Sequence, residues 1–269
     1  MQSARLKNII IIILALVNLF LLGSLASRQR AQQASRQRTQ EQLVSLFAAD
    51  AVTLPADVIS FQSPPTGGTL VRDVELDRAM AVCMLGENLT YSDQGGGIYA
   101  YDSDRGAAIF RSNGSFDATI LFSVPNDAAI LSEKLCETFG YANHVGDNIS
   151  EAEFSSSAVR RFNGYPVNNC TISFYFLDGV LSVSGTVLPD SLTTSGSSTV
   201  PLSGTSALTA FLNARRESGA VVSSVEDMYP CYDLQNTAAS AMTLVPSWCI
   251  VTGNGSYYVN CYTGVVTRS

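Results

Sequence analysis

The sequence predicts an α+β protein, with a single N-terminal transmembrane helix followed by an extracytoplasmic domain of helix-plus-antiparallel-sheet units. Three observations predict it. An uncharged stretch runs from Asn8 to Ser27 and is nearly unbroken in apolar residues from Ile9 to Leu22. A polar segment free of proline and glycine follows, from Arg28 to Ala49. The remaining chain alternates short runs of helical periodicity with strand-like runs separated by turn residues.

At about 1.5 Å rise per residue, the first stretch just spans the roughly 30 Å hydrocarbon core of a bilayer. Arg5 and Lys7 precede it. A cleaved secretion signal is the competing reading, because Ser24-Leu25-Ala26 places small residues where a signal peptidase cuts. The hydrophobic region exceeds the roughly 7–15 residues of such signals, which favours an uncleaved anchor. Arg28, Arg30, Arg36 and Arg38 follow the stretch, but long domains translocate largely regardless of flanking charge. The expected placement is a single-pass protein of the cell membrane, N-terminus cytoplasmic and C-terminal domain extracellular.

Asn18 is the polar residue in the middle of the apolar run. Its amide can hydrogen-bond across membrane helices, a contact worth roughly 0.5–2 kcal/mol. Ile11, Leu14, Asn18, Leu21 and Leu25 recur at helical spacing along one side and form the candidate stripe for partner helices.

Charge divides the chain sharply. Residues 1–49 carry six basic and one acidic side chain, net +5; residues 50–269 carry ten basic and twenty-two acidic, net −12, which together give the overall −7. Such an acidic domain has no basic face to follow a phosphate backbone, so nucleic-acid binding is excluded.

Residues 28–54 read as a juxtamembrane helical stalk, with Leu43, Leu46 and Phe47 at helical spacing and Pro55 as its stop. Residues 55–189 form a first α+β region. It opens with a helix at Asp73–Leu85 and strands at Gly97–Asp102, Ala107–Arg111 and Asp117–Val124, the turns being Asp104-Arg105-Gly106 and Asn113-Gly114. A second helix runs from Asn126 to Phe139, capped by Asn126 or Asp127. Strands at Glu153–Phe162, Cys170–Leu177 and Val180–Leu188 follow, the last two hinged at Asp178-Gly179. Residues 190–205 are rich in Ser, Thr and Gly and read as a linker. The C-terminal unit, 206–269, holds a helix at Ser206–Glu217, a strand at Ala220–Met228 and a hairpin at Leu244–Val265.

All six cysteines, Cys83, Cys136, Cys170, Cys231, Cys249 and Cys261, lie beyond the apolar stretch. An even number fits disulfides in an oxidising exterior, and equally six buried thiols acting as small apolar residues. In the closing hairpin, a loop from Asn254 to Ser256 sets Cys249 opposite Cys261 and permits a disulfide; a shift of one residue sets Cys249 opposite Asn260 and removes it. Trp248, the only tryptophan, reads as a core anchor.

Enzyme readings fail on inventory. His144, in the loop-like stretch Tyr141–Gly146, is the only histidine, and no Gly-x-Ser-x-Gly or Cys-x-x-Cys occurs. Asp102-Ser103-Asp104 lacks the further ligands of a calcium loop, and Gly95-Gly96-Gly97 lacks the lysine of a phosphate loop. No cofactor, metal or catalytic residue is expected.

Leu16-Val17-Asn18-Leu19-Phe20-Leu21-Leu22 resembles the membrane helix of the YycI family. Phe162-Asn163-Gly164-Tyr165-Pro166-Val167 is similar to the middle of such proteins, and Leu244-Val245-Pro246-Ser247-Trp248 with Tyr257-Tyr258-Val259-Asn260 and Thr263-Gly264-Val265 to their closing hairpin. The resemblance implies PepSY-like units and a regulator of an essential two-component system controlling cell-wall homeostasis. It also implies as partners a sensor histidine kinase and a YycH-like companion, met through membrane-helix contacts. Six cysteines and the juxtamembrane arginines depart from that pattern. A secreted or anchored PepSY-like binding module, such as a peptidase inhibitor, is the alternative reading.

Overall fold

A computed structural model describes residues 2–150, 153–194, 199–236 and 241–268, with side chains described at all of these except 2–13, 15, 26, 143, 144, 147–150 and 241. The chain opens with one unbroken helix, α1 (Gln2–Ala49). At about 1.5 Å per residue its 48 residues extend roughly 70 Å. It ends before Pro55 is reached, through Ala51 at φ 57, and a short 3-10 turn follows at Ala56–Val58. Among the described residues no helix is long and apolar enough to cross a membrane; the first part of the apolar stretch, with Ile11, lies outside the described side chains.

The rest is mixed α+β, as expected. In order come β1 (Gly68–Val71), α2 (Val74–Leu85), β2 (Thr90–Gly95), β3 (Ile98–Ser103), β4 (Gly106–Phe110), β5 (Ser115–Leu121) and α3 (Pro125–Thr138). Then follow β6 (Tyr141–Ser150), β7 (Glu153–Phe162), β8 (Tyr165–Leu177), β9 (Val180–Thr186), β10 (Leu192–Thr193), α4 (Gly204–Ser218), β11 (Val225–Asn236), β12 (Ala241–Thr252), β13 (Gly255–Asn260) and β14 (Val266–Arg268). The strands form one branched sheet, ordered β10-β1-β12-β11-β8-β9-β5-β4-β3-β2, with β13 and β14 beside β12 and β7 and β6 beside β8.

Local chemistry accounts for most boundaries. Asp73 caps α2 by accepting from the Glu75 amide. α3 starts one residue earlier than expected: Pro125 occupies the first turn, where its missing N–H costs nothing, and Val124 is the cap. Asn163-Gly164 and Asp178-Gly179 turn the β7–β8 and β8–β9 hairpins, with φ 48 and 85, and 49 and 82. Two positive φ values in succession match the right-handed twist of the flanking strands.

Some expectations are corrected. Tyr141–Gly146 is strand, not loop, because pairing with β7 extends it; His144 lies on this strand, its side chain outside the described residues. The strand expected at Ala220–Met228 begins at Val225 and runs on to Asn236.

Three buried clusters hold the layers together. α2 and α3 cover one face of the sheet through Met80, Met84, Leu131 and Leu135 against Phe110, Phe116, Phe174 and Leu181. α4 and the end of α1 cover the C-terminal strands through Phe47, Leu208, Phe211, Trp248 and Ile250. A smaller cluster, with Leu70, Phe162, Val167, Tyr232 and Leu244, joins the two where β8 meets β11.

Candidate functional site

The most distinctive arrangement is the contrast between the two ends of α1. Leu14, Leu16, Val17, Leu19, Phe20, Leu21, Leu22 and Leu25 are exposed, Phe20 by 75%. They surround the helix on all sides rather than lining one stripe. Of the predicted stripe, Leu14, Asn18, Leu21 and Leu25 are all exposed, while the side chain of Ile11 is outside the described residues. The structure gives that stripe no feature beyond Asn18 to set it apart from the rest of the circumference.

The other end is fixed. Leu43 and Phe47 are buried, and the Phe47 ring stacks on Phe211 of α4. Arg216 Nε donates to Asp50 Oδ2 at 2.9 Å just beyond the helix, and this hydrogen bond holds the Asp50 carboxyl below its ordinary value. Farther up the stalk, Gln40 Nε2 donates to the Ala56 carbonyl and the Arg36 guanidinium sits 5.3 Å from the Phe61 ring centre. The helix is therefore docked from Arg36 onward. Sequence spacing picked out Leu43, Leu46 and Phe47, of which Leu46 is exposed; the partners of the other two on α4 are about 165 residues away and carry no local signal.

A second feature lies where β8 and β11 part. These strands run parallel but pair only at Val167↔Tyr232 and Asn168↔Asp233. Continuing the ladder toward the N-termini would require Pro166 opposite Cys231 and Tyr165 opposite Pro230. Proline has no N–H to give a ladder. In the other direction Asn169, at φ 61, breaks the extended backbone. The strands splay, and a groove of about 540 Å³ opens between the β7–β8 hairpin and the sheet, lined by Arg161, Tyr165, Asn168, Asn169, Tyr229 and Tyr258 among others. Asp233 accepts from the side-chain amides of both Asn168 and Asn169. The lining suits hydrogen bonding and stacking. Burial pushes the thiol of Cys231, which borders the groove, upward, the opposite of what a thiolate nucleophile needs.

The closing hairpin takes neither register expected from the sequence. Its loop is the two-residue turn Gly253-Asn254, with Thr252 opposite Gly255, so Cys249 faces Tyr258. Thr252 fixes the turn by donating its hydroxyl to the Gly255 carbonyl at 2.7 Å. Strand alternation then sends Cys249 and Cys261 to opposite faces: Cys249 sits beside Tyr229 and Tyr258, Cys261 in the core with Trp248 and Ile250. All six cysteines are free thiols in this structure. Trp248 is fully buried and donates its indole N–H to the Leu202 carbonyl. Among the described residues no group of three or more His, Cys, Asp or Glu side chains is placed to hold a metal ion.

No protein-family model matches the sequence, and no curated protein matches it. The fold is similar to that of an uncharacterized protein from Eubacterium rectale ATCC 33656, with a TM-score of 0.50 at 13% identity over 81% of this chain and 90% of that one. The Bacillus megaterium YpeB C-terminal domain aligns at 12% identity and a TM-score of 0.36, over 74% of this chain and 98% of that one. The first likeness is one of fold alone, and the second is too weak to add to it.

Proposed function

We propose that the chain is a membrane-anchored regulatory protein that modulates a two-component sensor histidine kinase through transmembrane-helix and extracytoplasmic-domain contacts. In this reading Asn8–Ser27 is the anchor, the N-terminus is cytoplasmic and the domain is extracellular. The observation that carries it is α1 itself. Its apolar, exposed half is continuous with an end locked into the core of the domain, so a displacement at one end reaches the other. The resemblance of residues 16–22, 162–167, 244–248, 257–260 and 263–265 to the YycI family supports the same reading and names the partners: the kinase and a YycH-like companion. A helix apolar all round is stable only in lipid or against other apolar helices, which supports the membrane placement.

The test is co-purification of the tagged full-length chain from detergent-solubilised membranes, beside a version with Arg5–Ser27 replaced by an unrelated membrane helix. Recovery of a sensor kinase or companion by the native helix only is the expected result. Recovery by both moves recognition to the outer domain. Recovery by neither overturns the reading.

The second reading, a PepSY-like binding module such as a peptidase inhibitor, is favoured by the groove at the β8–β11 fork. Full binding of its target by the domain freed of residues 1–27 would put it ahead.

A further inference from the structure

The far end of the sheet presents a different surface. β2 is its terminal strand and, among the described residues, pairs only with β3. All six of its residues are exposed. An edge strand offers a row of unpaired backbone N–H and C=O groups, which proteins ordinarily blunt with lysine, proline, inward charges or a covering loop. β2 has neither lysine nor proline; its one charge is Asp93, and its one irregularity is a bulge between Asp93 and Gly95.

Beside this edge runs a cleft of about 440 Å³ between β2 and α2, lined by Leu89, Tyr91 and Tyr101 together with Glu75, Arg78 and Glu87. Tyr91 lies directly opposite Tyr101 in the β2–β3 ladder and stacks on Tyr99, so the α2-facing side of β2 is an aromatic floor. The cleft is preformed. Arg72, following β1, pairs with Asp77 of α2 at 2.6 Å and donates to the Gly97 carbonyl in the β2–β3 turn, tying helix and edge strand to one guanidinium.

We propose that β2 is a docking edge that takes an extended, basic segment of a partner protein as an added strand. Alternate lysines or arginines of the segment enter the α2–β2 cleft, their aliphatic stems on Tyr91 and their charges toward Glu75, Glu87 and Asp93, which share that face, and the apolar residues between them lie on the other face. Backbone pairing supplies affinity and the cleft supplies selectivity, as in other strand-addition complexes. Charge selects the occupant. Arg72 is committed to Asp77, so among the described residues that line the cleft Glu75 and Glu87 face one guanidinium, Arg78, with Asp93 on the adjoining strand of a domain of net −12. A second copy of this chain would bring two acidic edges and two acidic domains together, so the partner is a different protein. The proposal deepens the outer-domain half of the function proposed above and is independent of the helix.

The experiment uses the full-length chain in detergent and a synthetic nine-residue peptide alternating valine and lysine. Two controls are the same peptide with its central valine replaced by proline, and a valine–glutamate analogue. Hydrogen exchange followed by mass spectrometry reads the amides of Thr90–Gly95, and fluorescence anisotropy reads affinity. Saturating valine–lysine peptide is expected to slow exchange at Thr90–Gly95 at least ~10-fold, a protection free energy of about 1.4 kcal/mol. Neither control should do so, and Glu87→Lys should weaken binding by roughly 3- to 5-fold, the effect of one partly exposed ion pair. Absence of protection at β2, equal binding of the proline control, or concentration-dependent protection of β2 without peptide would each overturn the proposal, the last by showing self-pairing. The helix-exchanged chain should bind the peptide unchanged, so failure of the helix reading and failure of this one are separable.

Discussion

The Phe47 ring on the last turn of α1 stacks on Phe211 of α4, ring centres 6.3 Å apart and planes 19° from parallel. Both rings are fully buried, and Phe211 in turn meets Tyr257 of β13 edge-on at 5.0 Å. This triple contact joins the stalk to the domain. Phe47→Ala leaves a cavity under α4 and is expected to cost about 3–5 kcal/mol, measured as a lowered urea midpoint. Leu46→Ala, one residue away and partly exposed, serves as the comparison and should cost under about 1 kcal/mol. Equal effects would show that the stalk is not anchored through this ring.

Arg72 and Asp77 form the most buried ion pair described, with 7% and 2% of their side chains exposed. Desolvation raises the Asp77 carboxyl despite the opposing hydrogen bond from Arg72, so the pair holds through mutual dependence rather than surplus attraction. Asp77→Ala strands the guanidinium and should cost about 3–5 kcal/mol. Arg72→Met with Asp77→Leu removes both charges and should be milder than either single change. Calorimetric melting of the three variants decides it; an additive double variant contradicts the coupling.

The sequence was most informative where a residue's local chemistry decides its conformation. Asp178-Gly179 turns a hairpin because both positions accept positive φ, and Asp73 starts α2 because its carboxylate meets a free amide. It was silent where the deciding partner is distant. β1 is four residues long and is a strand because Leu244 and Met242 lie beside it, over 170 positions away. The polar run Thr90–Gly95 has no hydrophobic alternation, since both its faces are exposed, so the candidate docking edge left no periodic trace. Cys249 and Cys261 show the same limit within one hairpin. The turn residues announce it, but the side-chain period of two means that the exact loop, set by Thr252 and Gly255, decides which face each thiol meets.

The buried thiols make stability depend on alkaline pH. Burial raises Cys136 to about 11 and Cys170 and Cys261 to about 12, above the ordinary value of 9.0. Between about pH 9 and 12 the unfolded chain releases protons that the folded chain keeps, so stability is fully present below pH 9 and falls as pH rises through this window. Each thiol contributes on the order of 1 kcal/mol by pH 10. Urea midpoints at pH 8 and pH 10 in a reducing buffer should show the fall. Serine at these three positions should reduce the slope, with Cys83, Cys231 and Cys249, which burial also raises, keeping the rest; an unchanged slope would assign it elsewhere.

Asn18 is the polar side chain within the exposed apolar stretch. If its amide bonds across to a partner helix, Asn18→Leu removes a contact of roughly 0.5–2 kcal/mol while leaving the helix equally apolar. Recovery of the kinase or companion from detergent should fall by about 3- to 10-fold. Undiminished recovery with normal kinase output would end the role given to Asn18 and leave the remaining circumference as the contact.

The rigid-stalk reading makes a phase prediction. α1 has no interruption between its exposed apolar half and the docked residues from Arg36 onward, and each added residue rotates one half against the other by about 100°. Two residues inserted between Gln32 and Gln33 turn the apolar half by about 200°, whereas seven return it to within about 20° of its original direction while lengthening the stalk by roughly 10 Å. If orientation of the helix carries the signal, kinase output in cells is disrupted by the two-residue insertion and largely restored by the seven-residue one. Output that declines steadily with insertion length would mean that distance rather than orientation is transmitted. Output insensitive to both would mean that α1 is a tether, and the outer domain would then have to do the regulating through its own contacts.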